Sequence, residues 1–322
     1  MNKLEARSLL VLITFFASIQ YVFIGAAGDD YSPFGFLCIT NLIGLVMMLV
    51  LFAGTLAADF YRITKRDIMH GLLLSLELTG FNAFTLIGVS GAGATVSACV
   101  LSSYFVFIPV IAFIHKSEKP KKNIIIASVI TVIGLGIVGG FDVGSFFDLH
   151  TLALIAADIC FALYTFSVGK YTTDTSPTFL AMGQMIGCFV ITLILWIGEA
   201  VVTGETMSLP DSPAFIICVF YVGIFLKGVY TIAQVNSQRF ISPIETSLIF
   251  STEIVMTMLL SPLLGLFLDV PKEEITPVRM LGGLLVIVGI LIADDNIFKK
   301  LTGVVGSKKG FYQEVLSNEK RN

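Results

Sequence analysis

The chain has 322 residues and a formal net charge of −3; 56% of its residues are hydrophobic and only 13% are charged. Soluble domains usually carry about 25% charged residues, and the mean hydropathy here is +0.90, so a single water-soluble core is excluded. The charges are dispersed along the chain and form no basic stripe, which excludes nucleic acid as a partner.

Ten apolar stretches follow one another along almost the whole sequence. A hydrocarbon core roughly 30 Å thick needs about 20 apolar residues in a helix that rises about 1.5 Å per residue. We therefore predict an all-α integral membrane protein whose partner is the lipid bilayer. The ten predicted transmembrane helices cover residues 8–28, 33–54, 68–89, 95–115, 123–140, 150–169, 176–199, 213–234, 242–265 and 277–293. The first stretch is longer than the apolar region of a usual signal peptide, so we expect it to be retained.

The basic residues indicate the orientation. With the N-terminus inside, 17 of the 20 Lys and Arg residues fall in cytoplasmic segments, as the positive-inside rule requires. The sequence therefore predicts a multi-pass protein of the cytoplasmic (inner or plasma) membrane with both termini in the cytoplasm. The loop 200–212 is expected outside.

The second half of the chain repeats the layout of the first. Residues 24–33 match residues 168–177 at Gly, Asp, Ser and Pro positions, so that Pro33 aligns with Pro177. Further along, Ser103-Tyr104 aligns with Thr252-Glu253. Because each unit has an odd number of helices, the two units enter the membrane from opposite sides and form inverted repeats. The predicted domains are a first five-helix repeat at 1–144, a second at 145–296, and a cytoplasmic tail at 297–322.

Several short motifs accompany this layout. They are the tight connection at 91–93, the run 94–109 that ends in Pro109, and the glycine-rich segments 133–136 and 281–283. In these features the chain resembles the drug/metabolite transporter superfamily in its ten-helix form with two EamA-type repeats. The resemblance implies a membrane carrier of small organic solutes, often an exporter. The chain departs from the family where Ile19-Gln20-Tyr21 replaces a Trp-Gly pair, and where Ile254 replaces the proline after Glu253.

Four ionisable residues lie within the predicted spans: Glu77, Asp158, Lys227 and Glu253. Each would cost about 2.5–3.5 kcal/mol at a helix centre facing lipid, so each should face the protein interior or a water-filled cavity. Structural alternatives stay open: Glu77 and Lys227 as an ion pair, Asp158 nearer the surface, and Glu253 as a packing residue.

Glu77 and Lys227 fall within one position of each other in the repeat alignment, so we expect them to face a common cavity that Glu253 also approaches. On span eight, Lys227, Thr231, Gln234 and Gln238 form one polar stripe at helical spacing. The amides Gln20 and Gln184 are further candidates, either binding a ligand or joining helices. His70 is expected to be a solvated residue at a helix end.

The sequence predicts no catalytic residues, metal site or cofactor. The five cysteines are isolated from one another in sequence, and the Gly134–Gly136 pair lies inside an apolar helix without the Lys-Ser/Thr of a phosphate loop. Gly-x-x-x-Gly at Gly183 and Gly187 predicts close helix packing, and a homodimer through span ten stays open.

We interpret the chain as a secondary active transporter that moves a small organic metabolite by alternating access. A cation and carboxylates in one cavity would suit an amino-acid-like or amphoteric substrate, and Glu77 or Glu253 could exchange a proton and couple transport to the proton gradient. Export is one direction that this interpretation includes. The alternative left open is a non-transporting intramembrane enzyme or scaffold, with a dry helix bundle in place of a solvent-open cavity.

Overall fold

The structure is a computed structural model. It describes residues 1–27, 31–59, 63–92, 100–101, 103–115, 121–139, 149–204, 206–264, 276–293 and 298. Within these ranges the chain is helical and has no β-strand, which confirms the all-α fold. The predicted tail 297–322, apart from Phe298, lies outside the described residues, as does the matched Asp30.

Where the structure describes the predicted spans, it has helices in them; residues 95–99 and 102 of the fourth predicted span lie outside the described residues. The bounds of the helices are α1 Lys3–Ala27, α2 Pro33–Asp59, α3 Lys65–Ala92, α4 Phe107–Ile114 after a 3₁₀ turn at Tyr104–Val106, α5 Lys122–Gly139, α6 Leu149–Tyr171, α7 Pro177–Thr203, α8 Pro213–Tyr221, a π-helical segment at Val222–Tyr230, α9 Thr231–Ser237, α10 Pro243–Phe250, α11 Thr252–Leu264 and α12 Pro277–Ala293.

Ser-Pro pairs start four of these helices, because proline fits the first helical position, and the serine hydroxyl caps the exposed N–H groups at Ser32, Ser212 and Ser242. The Ser32 hydroxyl accepts from Gly35 N at 3.0 Å, and the Ser212 hydroxyl accepts from Phe215 N at 3.2 Å. The matching Ser-Pro sequences at 32–33 and 176–177 thus both mark helix starts.

Five helical segments within the described chain are long and apolar enough to cross a membrane. They are Pro33–Gly54, Lys65–Gly88, Leu149–Tyr171, Pro177–Thr203 and Pro213–Ser237. Tyr104–Ile114, Lys122–Gly134 and Met280–Ala293 are shorter apolar helices. The chain is therefore a helical membrane protein, and the full set of ten spans stays a prediction.

The two ends of the bundle differ in chemistry. At one end, which we call the basic end, Lys3 and Arg7 pair with Glu245 at the start of α10, and Arg66 pairs with Asp174. At the other end, which we call the Glu199 end, Ser32 donates a hydrogen bond to Glu199.

The packing of the two halves follows one scheme. The α3 helix packs on α6 and α7, and the rod formed by α8, the π-helical segment and α9 packs in the same way on α1 and α2. Two further contacts join equivalent helices of the two halves: α2 packs on α7, and α5 packs on α12.

Glycines permit the closest of these approaches. A Cβ at Gly187 would lie 2.2 Å from Ser75 Oγ, at the α3–α7 contact. On α12, a Cβ at Gly289 would lie 2.1 Å from Thr131 Oγ1 of α5. Both glycines therefore pack helices within the chain, and a homodimer would have to use a different face of α12.

Candidate functional site

A cavity of about 130 Å³ lies where the two halves meet. This volume is below the roughly 300–1,000 Å³ of pockets for drug-sized ligands, and it suits a small polar molecule. The lining comes from α1, α3, α6, the π-helical segment, α9 and α11, with contributions next to α4. It consists of Ala17, Gln20, Leu78, Phe81, Asn82, Leu101, Tyr104, Phe161, Tyr164, Leu226, Lys227, Tyr230, Thr231, Gln234 and Glu253.

Most of this lining consists of equivalent positions from the two halves. The offset of 144 residues that aligns Pro33 with Pro177, and the offset of 149 that aligns Tyr104 with Glu253, generate six pairs. The pairs are Ala17 with Phe161, Gln20 with Tyr164, Leu78 with Lys227, Phe81 with Tyr230, Asn82 with Thr231, and Tyr104 with Glu253. The cavity is therefore built on the pseudo-symmetry of the fold.

Charge breaks this symmetry. Among the described lining residues, Lys227 and Glu253 are the two that carry a formal charge, and both come from the second half. Their counterparts in the first half are the uncharged Leu78 and Tyr104. One ammonium and one carboxylate thus enter a cavity whose other walls are neutral, a combination suited to a ligand that carries both signs of charge.

Neutral amides hold the two charged groups. Lys227 Nζ donates to Asn82 Oδ1 at 3.5 Å, and Gln20 Nε2 donates to Glu253 Oε1 at 3.3 Å. Both distances are long for hydrogen bonds, so a ligand with its own charged groups can compete for these side chains.

Lys227 lies in the π-helical segment Val222–Tyr230. A π turn is wider than an α turn and is frequently found at functional sites. Here its backbone packs tightly on α2, because a Cβ at Gly44 would lie only 2.7 Å from Lys227 Cβ. On the same contact, a Cβ at Gly223 would lie 2.7 Å from Ile43. The wide turn and the glycines together fix where the lysine stem leaves the helix.

The polar stripe continues from Lys227 along α9. Thr231 and Gln234 are buried, and neither amide atom of Gln234 has a hydrogen-bond partner among the residues that the structure describes. A buried donor or acceptor without a hydrogen-bond partner destabilises the folded state by about 1–3 kcal/mol. Gln234 is therefore ready to bind a polar group in the cavity that it lines.

A cluster of aromatic rings forms part of the cavity wall, which we call the aromatic wall. Phe161 contacts Phe81 at 4.6 Å between ring centroids and Tyr104 at 4.7 Å, the latter edge to face. Tyr164 extends the same cluster. Such rings supply apolar surface and can attract a ligand ammonium through their faces.

Gln184 acts behind this wall. It is buried and does not line the cavity; its Nε2 donates to Tyr164 Oη at 3.1 Å. Since Tyr164 does line the cavity, Gln184 positions a lining residue and is not placed to bind a ligand itself.

The structure places Glu77 differently from the sequence expectation. Its Oε1 accepts a hydrogen bond from Ser167 Oγ at 2.8 Å, and it is absent from the lining that includes Lys227. The reason is one position of register: the cavity-facing counterpart of Lys227 is Leu78. Successive residues on a helix point about 100° apart, so Glu77 turns from the cavity toward α6. The structure therefore does not bring Glu77 to the cavity that Lys227 lines.

Asp158 also lies outside this lining. It is fully buried, its Oδ2 accepts from Ser103 Oγ at 2.7 Å, and its Oδ1 has no hydrogen-bond partner in the structure. The side chain therefore joins α6 to the segment before α4. Asp158 is thus enclosed by protein in this structure; its depth in the membrane stays a prediction.

His70 is not the solvated end residue that the sequence indicates. It is buried, its Nδ1 lies 2.9 Å from Thr175 Oγ1, and its ring stacks on Tyr171 at 4.0 Å. This contact joins α3 to the end of α6.

Sequence reasoning missed the tyrosines of the lining. Tyr104 and Tyr164 are the repeat counterparts of Glu253 and Gln20, which were identified as candidates. Transferring each candidate to its equivalent position in the other half would have found both.

Comparison with known proteins gives three findings. The family model described as "EamA-like transporter family" matches this sequence twice, at residues 6–140 and 149–293. A relative from Archaeoglobus fulgidus described as "Uncharacterized transporter" is 22% identical over 296 residues, which cover 92% of this chain and 88% of the relative. A solved structure described as "Crystal structure of protein" matches with a TM-score of 0.71 at 14% identity, covering 90% of this chain and 98% of that one. At that identity the likeness concerns the fold alone.

Proposed function

The chain belongs to the EamA-like transporter family and is a membrane transporter, and we propose that it is a secondary carrier for a small amphoteric metabolite. The observation that carries this proposal is the central cavity, in which Lys227 and Glu253 are set among neutral and aromatic residues. A zwitterion such as an amino acid would place its carboxylate at Lys227 and its ammonium at Glu253, with its side chain on the aromatic wall.

Alternating access is the mechanism that the internal symmetry supports. We propose ten spans in two inverted five-helix repeats, with the domain bounds 1–144 and 145–296. In such folds the substrate site lies between the repeats, and one repeat rocks against the other around it. The six symmetric pairs of lining residues support this arrangement, because rocking about the pseudo-twofold axis would exchange the roles of equivalent walls.

The basic end supplies contacts that such a motion would break. Lys3 and Arg7 of the first half pair with Glu245 of the second, and Arg66 pairs in the same way with Asp174. Ion pairs that join the two halves at one end stabilise the conformation in which that end is closed. The proposed transport cycle opens these pairs when the cavity faces that side.

We propose that a buried polar route joins the cavity to the basic end. From Gln234, the side chains of Ser237, Gln238 and Thr246 follow toward the start of α10, and each has a buried side-chain atom without a hydrogen-bond partner. Gln238 Nε2 donates only to the Thr165 carbonyl, at 3.1 Å. In the proposed cycle this route hydrates and conducts the substrate when the basic end opens.

We propose that the basic end faces the cytoplasm, with both termini inside a cytoplasmic membrane. A tag at either terminus is then expected to be inaccessible from outside intact cells. A cysteine at Ser208 is expected to react with an impermeant thiol reagent from outside. Detection of a C-terminal tag from outside would overturn the topology.

Proton coupling and export complete the proposal. Glu253 is the carboxylate that lines the cavity, so it replaces Glu77 as our candidate for proton exchange.

The alternative of a non-transporting enzyme or scaffold implied a dry bundle around the ionisable residues. The placement of Lys227 and Glu253 on a cavity favours transport.

The test begins with purified protein. A thermal-shift screen of the standard amino acids and related zwitterions is expected to find compounds that raise the Tm of the wild-type protein and not of Lys227→Met. Compounds found in this way are then tested for counterflow in proteoliposomes. Stabilisation of both proteins to the same extent would remove Lys227 from the site.

A further inference from the structure

A second cavity, of about 320 Å³, opens at the Glu199 end of the bundle, between the start of α2 and the end of α7. Six of its lining residues are Tyr31, Ser32, Trp196, Glu199, Thr203 and Ser208. The helices that line this second cavity do not line the central cavity, so the two sites are separate.

We infer that this second cavity is a binding site for small organic cations, with Glu199 as the counter-ion. Among the lining residues that the structure describes, Glu199 is the charged one, and it is half-buried. A carboxylate in a partly enclosed site attracts a cation more strongly than one in bulk water, because screening is reduced.

The remaining lining fits an ammonium group better than a metal ion. Trp196 and Tyr31 present aromatic rings, which bind organic cations through their faces. Calcium takes six to eight oxygen ligands, usually from several carboxylates, whereas the described part of this lining contributes one carboxylate. Within the described part of the chain, no group of three or more His, Cys, Asp or Glu residues is placed to hold a metal.

Fixed side chains give the site its shape. Trp196 is held against α2, since a Cβ at Gly35 would lie 2.8 Å from the indole ring. The Ser32 hydroxyl caps α2 through Gly35 N and donates to Glu199, which leaves the carboxylate further acceptor positions for a ligand. The anionic group and the ring are thus both anchored to the start of α2.

The proposal has a direct optical test, because Trp196 is the one tryptophan of the chain. Purified full-length protein is titrated with tetramethylammonium chloride while tryptophan emission is recorded. Sodium chloride and calcium chloride at matched ionic strength, and the neutral tert-butanol, serve as controls. We expect a saturable change with tetramethylammonium and none with the controls.

Variants identify the counter-ion. Glu199→Gln, which keeps the shape and removes the charge, is expected to raise the apparent Kd at least ten-fold. Asp211→Asn is the matched control, because Asp211 is an exposed acid near the same end and does not line the cavity; its Kd is expected to stay within two-fold of wild type. If Glu199→Gln does not fold, Glu199→Asp keeps the charge and is expected to retain saturable binding.

Three results would overturn the inference: a linear or absent response of the wild-type protein, an unchanged Kd for Glu199→Gln, or an equal response to sodium or calcium. Because the readout is local to Trp196, it does not depend on transport. The proposed carrier function is tested at Lys227, so either proposal can fail while the other holds.

Discussion

Replacing Gly44 by alanine tests how the π-helical segment positions Lys227. The new Cβ would lie 2.7 Å from Lys227 Cβ, 3.0 Å from the Lys227 carbonyl carbon and 3.1 Å from Gly223 O. Two of these three atoms belong to the backbone, so a change of side-chain rotamer cannot relieve the contact. The helices must separate, and the stem of Lys227 must move relative to α2.

The expected cost follows from overpacking, which destabilises by roughly 1–3 kcal/mol. For soluble domains of about 150–250 residues, 1 kcal/mol shifts Tm by roughly 2–4 °C, so Gly44→Ala should lower Tm by several degrees. Gly54→Ala is the matched control on the same helix, since a Cβ there meets nothing within 4 Å. Alanine favours helix over glycine by up to about 1 kcal/mol, so this variant should be neutral or slightly stabilised.

The assay is thermal unfolding of both variants, with and without the stabilising zwitterion found by screening. Gly44→Ala should lose both stability and ligand response, whereas Gly54→Ala should keep both. Equal melting temperatures and equal ligand responses of the two variants would refute the packing argument.

Three further predictions concern the charged residues. Because Glu77 and Lys227 have separate partners, the stability losses of Glu77→Gln and Lys227→Met should add in the double variant within about 0.5 kcal/mol; recovery in the double variant would show a direct ion pair. If Glu253 exchanges the proton, Glu253→Gln should make the transport rate independent of pH, while Glu77→Gln, measured in the same proteoliposomes, should retain the wild-type pH profile. Glu245→Gln should lower the free energy of unfolding by at most about 1 kcal/mol, since its ion pairs are partly exposed. It should nevertheless speed thiol labelling of a cysteine introduced at the buried Ser237. An unchanged labelling rate would contradict the proposed opening at the basic end.

The sequence predicts the helices well because membrane spans leave a strong apolar signal. It also singled out Lys227 and Glu253, because an ionisable side chain at membrane depth must face something other than lipid. The same argument selected Glu77 and Asp158. In the structure Glu77 accepts a hydrogen bond from Ser167, and Asp158 accepts one from Ser103. Composition shows that a charge is buried, but not which neighbour it faces.

Register decides that neighbour, and register is where the sequence reasoning failed for Glu77. An alignment error of one position turns a helical side chain by about 100°, enough to exchange Leu78 for Glu77 at the cavity. The alignment of Tyr104 with Glu253 contained the correct offset. Applied across the third and eighth predicted spans, that offset pairs Lys227 with Leu78.

The π-helical segment could not be predicted from local sequence. Gly223 and Gly228 look like ordinary packing glycines of a membrane helix, and nothing in Val222–Tyr230 distinguishes a wide turn from an α turn. Its conformation is set by contact with α2, where Ile43 and Met47 pack on the two glycines. The cavity at the Glu199 end was missed for a similar reason, because its lining comes from segments far apart in sequence.

Counterflow in proteoliposomes tests the central claim most directly, with a zwitterion found by thermal shift as the labelled solute. Wild-type protein should accumulate the label against an internal pool of unlabelled solute. Lys227→Met should show no accumulation although it inserts and folds, because its stem remains apolar and only the charge that holds the substrate carboxylate is lost. Counterflow by Lys227→Met at the wild-type rate would contradict the assignment of the central cavity as the substrate site.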